Sequence, residues 1–197
     1  MDQPVYNRRD LMRKLTMTML GSIALPAFAA ELPSAEGPVY IEKNSGKKGI
    51  IGGMDIVFKM GKEHTGGRMA STEAVLKPGF MGAPPHLHKG IDEICYVQEG
   101  LLNIWVDGKV QEVKAGDWHL RPKGLVHTFW NPGKTAVRYI DIYLPAGHEE
   151  YLKELAALFE NDARPKPEDF TGLASRHDIE FHWKLLPELM KKYNVHL

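Results

Sequence analysis

Four side chains in two short stretches have the types and spacing to hold a metal ion. The first stretch reads Pro84-Pro85-His86-Leu87-His88-Lys89-Gly90-Ile91-Asp92-Glu93. In a strand, residues i and i+2 face the same side, so His86 and His88 point together. The two prolines favour an extended backbone just before them. Glu93 follows a Lys-Gly corner and opens a new apolar run. The second stretch is Gly116-x5-Pro122-x-Gly124-x2-His127-x3-Asn131, where His127 enters a strand directly after a Pro-x-Gly turn. Three neutral imidazoles and one carboxylate suit a single divalent transition metal per chain: Fe, Mn, Ni, Cu or Zn. One or two coordination positions would stay open for water or a small-molecule substrate, which distinguishes a catalytic site from a closed structural one.

The elements that must position these groups are short strands. From 50 to 145 the chain alternates brief apolar or alternating runs with Gly and Pro, as in IGGMDIVFKM, EICYVQEG, LLNIWVDGK and VRYIDIYLP. Val106-Asp107-Gly108-Lys109 predicts a hairpin, because Asp-Gly supplies the positive φ values of a type I′ turn. Strands at this spacing predict a mainly β chain, an antiparallel sandwich or barrel. From 148 the period changes. Tyr151, Leu152, Leu155, Leu158 and Phe159 form one apolar helical stripe, read as a helix packed on the outside of the barrel. Pro165 and Pro167 then break the chain, and short helices are expected near 168–176 and 187–193.

The stretch His86-x-His88-x4-Glu93-x6-Gly100 resembles the first sequence motif of the cupins, and Gly116 through Asn131 resembles the second throughout. The one departure is Gly79, a residue further from His86 than usual, with Gly82 a candidate for its turn role. The resemblance implies a single jelly-roll β-barrel with C-terminal helices. It also implies that His86, His88, Glu93 and His127 are the metal ligands. Residues 148–182 are similar to the helical tail of quercetin-dioxygenase-like small cupins. The expected organisation is 1–29 signal peptide, 30–49 N-terminal loop or edge strand, 50–147 cupin barrel and 148–197 C-terminal helical extension.

Residues 1–14 carry Arg8, Arg9, Arg13 and Lys14, followed by LTMTMLGSIALPAFAA. That run is shorter than the ~20 residues a membrane span needs and ends in Ala27-Phe28-Ala29, an A-x-A cleavage pattern. Asn7 through Lys14 resembles a twin-arginine signal, with the ordinary secretory route as the rival. Export to the periplasm or beyond is therefore expected, with no membrane association after cleavage after Ala29. The 25 basic and 25 acidic residues balance, and removing 1–29 leaves a slight acidic excess, so no nucleic-acid partner is expected. The lone Cys95 excludes an intrachain disulfide framework and any Cys-rich zinc site. A homodimer is the default expectation for a cupin.

Other residues take secondary readings. Cys95 shares parity with Glu93 and is read as an apolar filler, the commonest role of a buried free thiol. Phe129 shares parity with His127 and offers a wall beside the metal, joined by Phe80, Met81 and Tyr143. Trp105, Trp118 and Trp130 are read as core. Tyr139, Asp141 and Tyr143 share one face of the last strand, and the sequence leaves open whether that face enters the barrel. His64, His119, His148, His177, His182 and His196 are expected not to be ligands, His119 being the nearest exception. The leading functional expectation is a metal-dependent dioxygenase acting on a small aromatic or enol-type substrate. Glu93 would combine ligation with proton acceptance. A non-redox isomerase, epimerase or lyase on a sugar or small acid stands beside it, as does a non-catalytic binding module.

Overall fold

The computed structural model describes residues 37–162 and 165–197. The expected signal segment 1–29 and the first part of the 30–49 segment lie outside the described residues. The strands are β1 Lys48–Ile51, β2 Met54–Phe58, β3 Ala70–Leu76, β4 His86–His88, β5 Asp92–Glu99, β6 Leu101–Val106, β7 Lys109–Lys114, β8 Trp118–Arg121, β9 His127–Trp130, β10 Val137–Leu144 and β11 Ile179–Phe181. They make two antiparallel sheets, one in the order β1-β2-β3-β10-β5-β8 and one in the order β11-β4-β9-β6-β7. The helices are α1 Lys62–Thr65, α2 His148–Leu158, α3 Pro167–Ala174 and α4 Leu186–Tyr193. None of them is long and apolar enough to cross a membrane.

Strict alternation in β3, β5 and β10 decides which side chains enter the core. Ala74, Leu76, Val97, Leu102, Ile104 and Tyr139 are all buried there. Each large apolar side chain so buried contributes about 1.5–3 kcal/mol of transfer free energy. The expected hairpin forms between β6 and β7, with Asp107 and Gly108 at φ 46° and 89°. The open question about the last strand is resolved: Tyr139, Asp141 and Tyr143 all point inward.

Three expectations change. Trp118 is not core but 62% exposed, because β8 alternates and Trp118 shares its outer face with Leu120. It stacks on Tyr96 of the neighbouring strand, ring centroids 4.5 Å apart. Helix α2 packs against β1 and β3, but it is more than an outer covering, since Tyr151, Leu152 and Leu155 line an internal cavity. The C-terminal segment is not purely helical: β11 adds a strand beside β4, pairing Ile179 with His88 and Phe181 with His86.

Candidate metal centre

β4 presents His86 and His88 inward with Leu87 between them turned out, as a two-residue period requires. β9 is the next strand in the sheet and sets His127 directly opposite His86. Glu93 arrives from the other sheet, on the inward parity of β5. Gly124 ties the two ligand stretches together. Its φ of 77° suits glycine, and its N–H donates to the His88 carbonyl at 2.7 Å. Asn131 closes the second stretch structurally, donating to Leu76 O and Thr135 O and accepting from Gly133 N.

The four residues converge: one donor atom from each of His86, His88, Glu93 and His127 lies within 4.8 Å of the others, and all four are buried. His86 Nδ1 donates to Pro84 O at 2.8 Å, and His127 Nδ1 donates to Leu125 O at 3.0 Å. A carbonyl can only accept, so these contacts fix the Nδ1–H tautomer and leave Nε2 with a free lone pair. Burial, with the neighbouring imidazoles adding to it, holds His86 well below the ordinary histidine pKa, so this ring stays neutral.

The chemistry of the donor set fits a cation. His127 Nε2 lies 3.1 Å from Glu93 Oε2, and His88 Nε2 lies 3.3 Å from Glu93 Oε1. Yet both His88 nitrogens, His127 Nε2 and Glu93 Oε2 are buried without a hydrogen-bond partner among the described residues. Each buried polar atom left so costs about 1–3 kcal/mol. A divalent ion shared by the four residues would satisfy the converging lone pairs and the carboxylate charge together.

Two further groups border this cluster: Arg121, to which the sequence reading assigned no role, and His148, read there only as not a ligand. Arg121 is buried on β8, opposite Glu93 in register, with Nη1 3.2 Å from Glu93 Oε2 and Nη2 donating to Asp141. Its guanidinium also sits over the Phe129 ring, 5.1 Å from the centroid. Burial alone would raise the Glu93 pKa; the Arg121 charge and the imidazoles outweigh it and hold the carboxyl well below its usual range. Asp141 takes the other outcome. Burial pushes it up to about 6, with Arg121 opposing and the Glu93 charge adding to the rise. Cys95 lies beside Asp141 in the same interior layer, its thiol pushed up by burial first and Asp141 second, in keeping with its reading as an apolar filler.

The second group is His148, the first residue of α2. It is 7% exposed, with Nε2 3.6 Å from Glu93 Oε1 and its ring 4.5 Å from that of His88. His148 was expected not to be a ligand, and it lies outside the four-residue cluster, but the fold brings it to the edge of that cluster. A signal for it existed: His148 extends the α2 stripe backwards, three residues before Tyr151. His119 stays outside the cluster, its pKa lowered to about 4 by burial and then by Arg121. His64, His177, His182 and His196 are likewise not brought into it.

A cavity of about 550 Å³ reaches His86, Glu93 and His148. Its wall is apolar and aromatic: Phe129, Tyr139 and Tyr143 from the barrel, Tyr151, Phe170, Phe181 and Trp183 from the C-terminal segment. Met81 lines it as expected, but Phe80 does not. Phe80 instead packs edge-on against His196, ring centroids 5.4 Å apart. Gly79 keeps its own turn role at φ 74°, so Gly82 is not its substitute. Gly82 leaves room for the wall instead, since a Cβ there would come within 2.0 Å of the Phe129 ring.

Comparison with known proteins finds a family match over part of the chain and several partial relatives. Residues 72–143, which contain all four clustered side chains, match the family described as Cupin domain. An oxalate oxidase from Triticum aestivum is 29% identical over 92 residues, covering 43% of this chain and 41% of that protein. An uncharacterized protein from Aquifex aeolicus is 34% identical over 53 residues, covering 27% of this chain and 44% of that one. The chain therefore spans less than half the length of these curated relatives. Among solved structures, an RmlC-like cupin from Shewanella frigidimarina has 21% identity, a TM-score of 0.49, and coverage of 58% of this chain and 96% of that one. A sugar phosphate isomerase from Silicibacter pomeroyi has 21% identity, a TM-score of 0.44, and coverage of 49% and 62%. Residues 72–143 match the cupin family model, and the two antiparallel sheets built around them form a mainly β, jelly-roll architecture.

Proposed function

We propose that this protein is a metal-dependent dioxygenase acting on a small aromatic or enol-type substrate, with His86, His88, Glu93 and His127 as the ligands of one Fe, Mn, Ni, Cu or Zn ion. The observation that carries the reading is the aromatic cavity of about 550 Å³ that reaches the proposed ligands His86 and Glu93. A bound metal would supply Lewis acidity toward a substrate oxygen and, for the redox-active candidates but not for Zn, a route for electrons to dioxygen. The side chains do the rest. Phe129, Tyr143, Phe170 and Phe181 exclude water and hold a flat ring. Arg121 holds Glu93 by Oε2, while Oε1 lies toward His88 and His148. Glu93 is kept ionised, so it can receive the proton of a substrate hydroxyl.

A sugar isomerase reading fits less well, because hydroxyl groups against this wall would be left without partners. The partial likeness to an oxalate oxidase supports oxygen chemistry. The test is a panel of polyphenols, enols and sugars run with metal-loaded protein in an oxygen electrode and repeated anaerobically. Oxygen consumption matched to product is expected; product at an undiminished rate without oxygen supports the isomerase, and no turnover supports a binding module. Export belongs to the same proposal. It rests on Arg8-Arg9 and Ala27-Phe28-Ala29, and N-terminal sequencing of periplasmic protein should begin at Ala30.

A further inference from the structure

We propose that His148 is a substrate-orienting residue: it hydrogen-bonds a second oxygen of an aromatic substrate whose first oxygen is held at the metal cluster. The proposal rests on the reading of the cavity as a site for oxygenated aromatic molecules. Three observations carry it. His148 lines the cavity next to Glu93, with Nε2 3.6 Å from Glu93 Oε1 and so outside hydrogen-bond reach. No hydrogen bond engages His148 among the described residues, and since its Nδ1 is sealed in the protein, Nε2 is the nitrogen offered to a ligand. Its ring is held in place by neighbours on three sides, with centroids 4.5 Å from His88, 4.7 Å from Tyr143 and 5.4 Å from Tyr151, the last stacked.

A buried imidazole without a protein partner costs free energy unless something supplies one. The metal cluster does not employ it, because the four converging donor atoms exclude His148. Several other polar groups at this wall are already engaged: Tyr143 Oη with Thr72 Oγ1 at 3.0 Å, Tyr139 Oη with Met54 Sδ at 2.8 Å, and Asp141 with Arg121. Among the polar wall groups without a protein hydrogen bond, His148 is the one beside Glu93 and so nearest the cluster. It borders the cluster, its Nε2 3.6 Å from Glu93 Oε1. A site built to pair a substrate hydroxyl rejects the analogue that lacks it, whereas the apolar wall discriminates weakly.

The experiment uses the full 197-residue chain loaded with Mn(II). Two coloured probes are titrated: 4-nitrocatechol, with adjacent hydroxyls, and 4-nitrophenol, with one. His148→Phe keeps a ring but no hydrogen bond, and His148→Gln restores a polar end. The expected result is that His148→Phe weakens 4-nitrocatechol binding about tenfold. It should leave 4-nitrophenol affinity and metal content unchanged, and His148→Gln should recover most of the loss. Equal weakening of both probes would mark a purely structural role and overturn the proposal, as would unchanged 4-nitrocatechol affinity. Loss of Mn(II) from His148→Phe would make His148 a ligand and also overturn it. Failure of the wild-type protein to bind either probe would instead bring down the aromatic-substrate reading beneath it.

Discussion

On one side of the cavity, His86, Glu93 and Phe129 come from β4, β5 and β9 of the barrel. On the other, His148, Phe170, Phe181 and Trp183 come from the C-terminal segment. The barrel side brings converging ring nitrogens and a carboxylate in a network anchored by backbone carbonyls and a buried arginine. The C-terminal side brings aromatic rings and one unpartnered imidazole. In the proposed function the barrel side would set which ion and which proton transfer are available, and the C-terminal side would set what shape and polarity of molecule can reach them. Changes on the two sides should separate in their effects.

The largest separation is expected at Glu93. Glu93→Gln keeps size and a carbonyl oxygen but loses the carboxylate that accepts a proton. Metal should be partly retained while turnover falls on the order of 10²–10⁴-fold. Parallel loss of metal and activity would reduce Glu93 to a ligand. Next is Arg121, whose removal strands Glu93 and Asp141 without their buried counter-charge. Arg121→Met should cost about 3–5 kcal/mol in urea unfolding, and adding Asp141→Leu should recover part of it. A cost under about 1 kcal/mol would mean the network holds no buried charge.

The C-terminal side predicts the opposite profile. Phe170→Ala should leave metal content unchanged and raise the KM for an aromatic substrate by on the order of tenfold. Metal loss from that variant would break the division between the two sides.

The smallest effect is the acid response of the metal-free protein. Burial, with nearby imidazoles adding to it, holds His86 and His148 well below the ordinary histidine value. Above about pH 6.5 they are neutral folded and unfolded, and contribute nothing. Below it, the unfolded chain takes up three protons that the folded protein refuses, the third at the half-buried His119, whose pKa is lowered to about 4 by burial and then by Arg121. Asp141, raised to about 6, works against this by keeping one proton that the unfolded chain has lost. The unfolded state still binds more protons, so stability falls as pH drops from about 6.5 toward 4, on the order of 1 kcal/mol per pH unit. A flat profile in chemical denaturation across that range would contradict the neutral, buried assignment.

The same division explains what the sequence could reveal. His86, His88 and Glu93 fall within eight residues, and strand parity alone aims them together. The hairpin at Asp107-Gly108 and the inward parity of Cys95 and Phe129 are equally local. Arg121 was hidden because a strand-interior arginine reads as solvated until its partner Glu93 is known from register. Trp118 misled for the converse reason, since its size suggests core while its parity with Leu120 turns it outward. The three-residue strand β11 is too short to show a period, and its pairing with β4 spans about ninety residues of chain. The C-terminal wall is therefore a product of tertiary folding, and no local pattern announces that Phe170, Phe181 and His148 share one cavity.

Metal stoichiometry tests the central claim most directly. Elemental analysis of wild-type protein and of His86→Ala, His88→Ala, Glu93→Ala and His127→Ala, purified identically, should find one transition-metal ion per wild-type chain. It should find a strong loss in each variant, with the strand signature in circular dichroism retained. Full stoichiometric metal in all four variants would contradict the assignment.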